Sequence, residues 1–331
     1  AHRVPAADIY AAVPFLSRRG GFICDPFGCL LFYRNLYFVY VGCPRRRLGG
    51  CGQPRRVSAL FGSRFRSRPA VRPTDREREF EAMIFYFTGT GNSLYAAARL
   101  SHGTADRVVS IAECMQKEEF AFPEPCERAG FVFPVYWYGI PAIVERFLDR
   151  LTLGGCDYAY AVITCGGSAG GTLDALRARL RPRGVMLSAA FSVRMPDNYI
   201  LLFAPPKAEK RAAMLAEADR RLDKITAAVV EKQSWFDVAA GAVKPLSGLL
   251  HRYYETHRSV KKFRADDRCT GCGRCVSVCP EGTVSLVSGR PVWNGECTRC
   301  LACLHRCPAG AVQYGRGTEK RERYVNPKVM F

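Results

Sequence analysis

Eight cysteines near the C-terminal end constrain this chain more than any other feature of its sequence. Cys269, Cys272, Cys275 and Cys279 precede Pro280, and Cys297, Cys300, Cys303 and Cys307 precede Pro308, so the spacing C-x2-C-x2-C-x3-C-P occurs twice. The match extends beyond the cysteines, since Cys-Pro-Glu-Gly-Thr-Val at 279–284 parallels Cys-Pro-Ala-Gly-Ala-Val at 307–312. The segment is an internal duplication of about 28 residues. Each copy is expected to be a loop, a short helix and a strand. Thiolates two residues apart on a tight turn reach three corners of an iron–sulfur cubane. The fourth must come from elsewhere, and the proline redirects the chain. A pair of zinc sites is the rival reading. Structural zinc favours separated C-x2-C pairs across a long spacer, so two identical four-cysteine runs fit two 4Fe–4S clusters better.

The run is that of bacterial ferredoxins, in whose two-cluster fold the fourth cysteine of each run serves the other cluster. This resemblance implies one metal set of Cys269, Cys272, Cys275 and Cys307, and a second of Cys297, Cys300, Cys303 and Cys279. Gly271 and Gly273 keep the first loop small enough for backbone N–H groups to approach the sulfides. His305 lies between two of these cysteines. With the cysteine set complete, it is expected to be exposed or packed rather than a ligand.

The 331 residues are 48% hydrophobic and 24% charged, which is ordinary globular material of roughly two domains. The longest apolar stretch, Cys29 to Cys43, is interrupted by Arg34 and Asn35 and is too short to span a bilayer. The first residues do not read as a signal peptide. A cytoplasmic protein without a membrane span is expected, and there so many cysteines should not be disulfides. The formal charge of +19 divides unevenly. Residues 1–82 hold 15 Arg, no Lys and 6 acids (+9), while the remaining 249 hold 34 basic and 24 acidic residues (+10). Residues 1–82 show little periodicity and are expected to be a disordered or mis-started extension, with the functional protein opening at Met83. Glu77-Arg78-Glu79, which a purine-rich run can encode, sits where a ribosome-binding sequence would lie. The arginines are not regularly interleaved with aromatics, so a nucleic-acid-binding arm is not expected.

Met83 to Phe87 reads as a buried strand. Thr88-Gly89-Thr90-Gly91-Asn92-Ser93 follows, and then a helical pattern from Leu94 to Leu100. A strand, a hydroxyl- and glycine-rich loop and a helix start make an anion site. Leu94 stands where a dinucleotide fingerprint needs glycine, and the Lys of a Walker loop is absent. A mononucleotide phosphate loop remains. Gly130 to Val135 is a further strand, ending in Pro134-Val135-Tyr136-Trp137-Tyr138-Gly139-Ile140-Pro141, and Ile143 to Leu151 looks helical. Tyr158 to Thr164 is a fourth strand, followed by Cys165-Gly166-Gly167-Ser168-Ala169-Gly170-Gly171 and a helix to about Leu180. Val185 to Val193 is a fifth, ending at Met195-Pro196-Asp197-Asn198-Tyr199. All candidate ligand loops thus follow strand C-termini.

These loops resemble those of the flavodoxin family, whose T-x-T-G-x-T type loop cradles the phosphate of FMN. The resemblance implies strand order 2-1-3-4-5 with the ligand at the switch point. It also implies cofactor contacts from Thr88, Gly89, Thr90, Gly91, Asn92 and Ser93, from Trp137, Tyr138 and Gly139, and from Cys165, Gly166 and Gly167. Trp137 or Tyr138 is the stacking candidate. The second loop lacks the aromatic that many flavodoxins place on the other flavin face. Residues 83–315 as a whole resemble the bacterial flavodoxin–ferredoxin fusion family, as does Met195-Pro196-Asp197-Asn198-Tyr199. The fold class implied is α/β, a flavodoxin-like doubly wound parallel sheet followed by a small α+β bacterial-type ferredoxin domain with two 4Fe–4S clusters. The expected boundaries are 83–232 for the FMN-binding domain, 233–263 for a helical linker, 264–315 for the dicluster domain and 316–331 for a charged surface tail.

Lys207 to Lys232 is an amphipathic helix pattern that should close the sheet. The linker, with Trp235, Phe236 and a second helix around Leu246 to Thr256, is apolar enough to dock rather than dangle; Trp235, Tyr253 and Tyr254 are expected to be packing residues. From Lys261 onward there are 13 basic and 6 acidic residues (+7). This surface reads as a docking face for an acidic redox partner protein, as support for reduced clusters, or as merely solvated. FMN with two 4Fe–4S clusters implies an electron-transfer protein. The alternative is an FMN-dependent reductase of a small molecule, although no catalytic residue set can be nominated. The donor, the acceptor and the oligomeric state stay open.

Overall fold

The computed structural model describes residues 81–330 and three short strands, Phe22–Asp25, Gly28–Leu31 and Val39–Val41, which pair antiparallel in that order. The chain divides into two units, 1–72 and 73–331. The expectation that 1–82 form an extension ahead of the functional protein falls almost entirely outside the described residues. The second unit contains the cysteine repeats and all the candidate ligand loops.

Six parallel strands form its central sheet: β1 (Glu81–Tyr86), β2 (Arg107–Ser110), β3 (Cys126–Pro134), β4 (Cys156–Cys165), β5 (Leu187–Arg194) and β6 (Phe236–Asp237). Their order is 6-5-4-3-1-2, and every neighbouring pair is parallel. This is the doubly wound flavodoxin-like order with one short strand added at the edge. The crossovers carry α1 (Asn92–Thr104), α2 (Ile111–Lys117), α3 (Ala142–Arg150), α4 (Thr172–Leu180) and α5 (Ala208–Val230).

Both faces of the sheet are covered, which is why the strands read as nearly continuous apolar runs. Met83, Phe85 and Phe87 pack on one face with Phe147 of α3 and Leu176 of α4. Ile84 faces the other way, against Leu100 of α1 and Leu222 and Ile225 of α5. Inside this second layer Asp106, its side chain fully buried, is held by Arg128 through hydrogen bonds of 2.6 and 3.2 Å. α1 starts two residues before the periodic pattern did, and β5 starts at Leu187 rather than Val185. β2 and β6 carry too few buried residues to show in the sequence.

After α5 the chain forms α6 (Ser247–Thr256) and enters the small domain. There β7 (Phe263–Ala265) pairs antiparallel with β10 (Val312–Tyr314), and β8 (Val284–Val287) with β9 (Arg290–Trp293). The duplication is visible: one cysteine loop leads into α7 (Arg274–Ser277) and the other into α8 (Ala302–His305). No helix among the described residues is long and apolar enough to cross a membrane.

The linker is docked. Tyr254 of α6 is 1% exposed, whereas Tyr253 is half exposed and Trp235 packs edge-on against Phe191 at 5.2 Å. Pro141 precedes α3 at its N-cap and offers no side-chain cap. Its first orphan donors are met from outside: Ala142 N donates to the Tyr254 hydroxyl and Ile143 N to Thr298 Oγ1, each at 3.3 Å. Tyr254 in turn donates to the Thr298 carbonyl at 2.9 Å. The second cysteine loop therefore caps a helix of the flavodoxin-like domain.

The charged tail departs from expectation. It does not lie on the surface as a whole: Thr318, Tyr324 and Asn326 are buried. Tyr324 Oη and Asn326 Nδ2 donate to Asn92 Oδ1 at 2.8 and 3.1 Å, and Asn326 N donates to the Thr90 carbonyl at 2.8 Å. Its charges sit between residues that point inward, so composition alone reads it as solvated. His305 is packed rather than exposed: Nε2 bonds the Asn198 carbonyl at 2.8 Å, Nδ1 accepts from Tyr324 N at 3.1 Å, and burial lowers its pKa to about 4.

Replacing Thr298 by Val keeps the shape but strands the Ile143 donor in a fully buried site. The fold should lose about 1 kcal/mol, read as a lower urea midpoint. An unchanged midpoint would show that the cap carries no stability.

Candidate functional site

A cavity of about 590 Å³ opens at the C-terminal ends of β1, β3, β4 and β5. Of the twelve expected cofactor residues, Thr88, Gly89, Thr90, Asn92, Ser93, Trp137, Tyr138, Cys165, Gly166 and Gly167 line it. Gly91 and Gly139 do not. Gly91, at φ 100°, precedes α1 and donates its N–H to Thr88 Oγ1 at 3.0 Å. Gly139 closes a turn against the ring of His251, where a Cβ would overlap the imidazole.

The loop from Thr88 to Ser93 is braced by side chains from several elements. Asn92 lends its side chain to the fold: Nδ2 donates to the Pro196 carbonyl at 3.0 Å, and Oδ1 accepts from Tyr324 and Asn326. Ser93 Oγ and Thr164 Oγ1 share a hydrogen bond of 2.7 Å, and Asn198 donates to Thr90 Oγ1. What the loop has left for an anion is its backbone N–H groups, the remaining hydroxyl capacity and the N-terminus of the 13-residue α1.

The aromatic side of the cavity is a two-residue hairpin. Tyr136 and Gly139 exchange backbone hydrogen bonds of 3.0 and 3.1 Å. Trp137 and Tyr138 between them have φ of 49° and 62°. A type I′ turn needs this at both central residues and normally takes Asn-Gly. Bulky residues held there store strain that the surroundings must offset. The Trp137 indole N–H is buried and has no protein partner. It is a donor that a ligand carbonyl or ring nitrogen in the cavity would satisfy.

His251 anchors this hairpin. The Tyr136 carbonyl accepts from Nδ1 at 3.1 Å, which leaves Nε2 facing the Glu145 carboxylate at 3.6 Å. Burial opposes charging the ring, but the carboxylate outweighs it and the pKa is raised. Cys165 is pushed up to about 11 by burial, so it sits in the cavity as a neutral thiol. Burial also drives the Tyr136 and Tyr254 phenols upward.

The expected contact residues left out other parts of the lining. Met195 to Tyr199 follow β5 as the other ligand loops follow their strands, so strand position was an available signal. Arg299, Cys300 and Leu301 had none, since they come from the second cysteine loop. A Cβ on Gly89 would overlap the Cys300 carbonyl oxygen, so the two loops meet backbone to backbone.

The eight cysteines fall into two groups of four. Cys269, Cys272, Cys275 and Cys307 line one small cavity, and Cys279, Cys297, Cys300 and Cys303 line another. Each group offers the thiol set that an iron–sulfur cubane needs, with the fourth member drawn from the other repeat. Gly271 and Gly273 have φ of 67° and 73°, and their counterparts Arg299 and Leu301 take 53° and 58°. The second loop holds the same turn although it has no glycine to ease it. Arg299 N donates to Cys297 Sγ and Ala311 N to Cys307 Sγ, both at 3.3 Å.

Residues 268–312 match the family model of the 4Fe-4S dicluster domain. No curated protein matches the chain. Among solved structures, a flavoprotein from Bacteroides uniformis is similar at 13% identity and TM-score 0.29, over 35% of this chain and 90% of that one. The Trp repressor binding protein of Bacillus subtilis is similar at 15% and 0.28, over 42% and 94%. Rubredoxin oxygen:oxidoreductase from Desulfovibrio gigas is similar at 16% and 0.28, over 45% and 37%. The fold rests on strand order and register, not on these partial likenesses. The chain thus carries a 4Fe–4S dicluster domain docked on a flavodoxin-like sheet.

Two outcomes are expected. Asn326→Ala removes one brace of the loop from Thr88 to Ser93, so hydrogen exchange at the amides of residues 90–93 should rise by about tenfold. Unchanged protection would mean that the tail does not hold the loop. For His251, a folded pKa above the unfolded 6.5 means stability that is full below about pH 6.5 and lost as pH rises through the folded value. The stability difference between pH 5.5 and 8.5, measured by urea denaturation, should shrink in His251→Gln.

Proposed function

We propose that the chain is an iron–sulfur flavoprotein for electron transfer, holding FMN in the 590 Å³ cavity and two 4Fe–4S clusters on its eight paired cysteines. FMN exchanges electrons singly or in pairs and each cluster passes one, so together they connect two-electron to one-electron chemistry. The observation that carries this reading is the shared wall: Arg299, Cys300 and Leu301 belong at once to the second cysteine set's loop and to the cavity lining.

In this reading Thr88, Gly89, Thr90, Asn92 and Ser93 present N–H and hydroxyl groups to the phosphate, and α1 adds its dipole. Trp137 covers one face of the flavin ring and offers its indole N–H; Tyr199, 6.0 Å from Trp137 and edge-on to it, stands in the same cavity. Gly166 and Gly167 let backbone approach a flat ring edge. Arg299, which donates to the hydroxyls of Tyr199 and Tyr314, is the one cationic side chain lining the cavity among the described residues. The buried loop excludes water between the two redox sites.

A second reading, reduction of a small molecule, is favoured by one observation. Leu202 and Phe203 line the cavity yet are 51% and 61% exposed, forming an apolar rim that a substrate would cross. Turnover with a reduced viologen and a substrate panel separates the two readings.

Anaerobically purified full-length protein should contain about eight irons, eight sulfides and one FMN per chain. Iron without flavin would remove the flavin half of the reading and leave the cluster half. In a protein that holds FMN, Trp137→Ala should weaken it by about tenfold, measured by fluorescence titration.

A further inference from the structure

Four cysteines of the flavodoxin-like half lie outside the repeats: Cys114, Cys126, Cys156 and Cys165. Burial pushes Cys114 and Cys165 up to about 11, so both stay neutral thiols. Cys126 and Cys156 differ. They are direct register partners at the starts of the neighbouring parallel strands β3 and β4. Neighbouring strands run about 4.8 Å apart, and a disulfide joins Cα atoms about 4.4–6.8 Å apart. The two side chains already meet through a hydrogen bond between their sulfurs. A single buried thiol can serve simply as a small hydrophobe. Two in register and in sulfur-to-sulfur contact make a dithiol.

The two thiols are unequal. Cys156 is partly exposed, and a Cβ on the preceding Gly155 would meet open space, whereas Cys126 is 1% exposed. The hydrogen bond from Cys126 lowers the Cys156 pKa against the opposing effect of burial, and backbone hydrogen bonds at Tyr158 and Ala129 help. The same bond, with burial, raises Cys126, which keeps its proton; the Arg128 carbonyl also accepts that proton, at 3.0 Å. A thiolate near the surface with a protonated thiol behind it is an attacking and a resolving cysteine.

We propose that Cys126 and Cys156 form a reversible redox site of their own, closed to a disulfide by a peroxide and reopened by a dithiol. The Cys156 thiolate attacks one peroxide oxygen. An S–O bond forms, the O–O bond breaks, and the departing hydroxide takes up the proton that Cys156 released. The Cys126 sulfur then attacks the Cys156 sulfenic acid. The S–S bond forms, the S–O bond breaks, and a second water leaves with the Cys126 proton. The pair loses two electrons and two protons, and the peroxide becomes two waters. A dithiol returns them by exchange and is itself oxidised to its disulfide. The bond closes a loop over residues 126–156, which contain the Trp137–Tyr138 hairpin and α3, at the strand ends opposite the cavity.

The test uses anaerobically purified full-length protein and hydrogen peroxide in small molar excess. Samples are quenched by denaturing alkylation, digested and mapped by mass spectrometry. The peptide joining Cys126 to Cys156 should exceed any disulfide peptide containing Cys114 or Cys165 by about tenfold. It should form while the chain still resists limited proteolysis, and it should vanish on treatment with dithiothreitol. Cys126→Ser should leave Cys156 as a sulfenic acid that dimedone traps, and Cys156→Ser should leave Cys126 reduced. The wild-type map decides even where a variant fails to fold. Absence of the excess, or a cross-link that appears only once the chain becomes protease-sensitive, overturns the proposal. Dimedone labelling of Cys126 in Cys156→Ser that equals the labelling of Cys156 in Cys126→Ser overturns the order of attack. None of these readouts depends on bound flavin or iron, so the proposal and the electron-transfer reading stand or fall separately.

Discussion

The carbonyl of Cys300 rests on the backbone of Gly89, and much of the molecule serves to keep it there. The contact requires glycine on one side and a turn with left-handed residues on the other. Around it, Thr298 and Tyr254 complete the N-terminus of α3, His305 ties α8 to the Asn198 carbonyl, and Ile200 buries itself in the core of the small domain. Each of these hydrogen bonds contributes only about 1 kcal/mol net, but each would cost more to leave unmade in a buried seam. The seam therefore behaves as one unit. The dicluster domain is a wall of the flavodoxin-like cavity rather than a tethered neighbour.

Strain is concentrated in the same place. Eight non-glycine residues among those described have positive φ, and four of them, Trp137, Tyr138, Arg299 and Leu301, line the cavity. Each such residue costs of order 1–3 kcal/mol unless its surroundings hold it. Here the hairpin is pinned by His251 and the cysteine loop by its packing on Gly89. A cavity shaped by residues in disfavoured conformations is rigid, because relaxing one of them would break contacts on both sides. Such rigidity suits electron transfer, which gains from sites that do not reorganise.

Local features of the site were legible in the sequence. The cysteine spacing, the strand that feeds the loop from Thr88 to Ser93 and the aromatic pair after β3 are all set by residues close together in the chain. The crossed grouping of the cysteines was implied by the resemblance to bacterial ferredoxins, not by the spacing itself. What stayed hidden was the use already made of polar groups. Asn92 reads as a phosphate contact, yet its side chain is spent on Pro196, Tyr324 and Asn326. Gly91 and Gly139 sit in the right loops but serve the backbone around the cavity. Thr298, Tyr254 and the tail gave no sign of their roles because their partners lie 44 to 234 residues away.

The last of these separations bears on how the molecule comes together. Asn92 emerges early and waits for Asn326, 234 residues later. Between them the chain must complete the sheet, dock the linker and shape both cysteine loops. Such long-range closure is slow, because chain entropy is lost before the contact is made. The cavity wall thus joins residues from both ends of the described part of the second unit. The loop from Thr88 to Ser93 therefore gains its last braces only when residues 324–326 reach it.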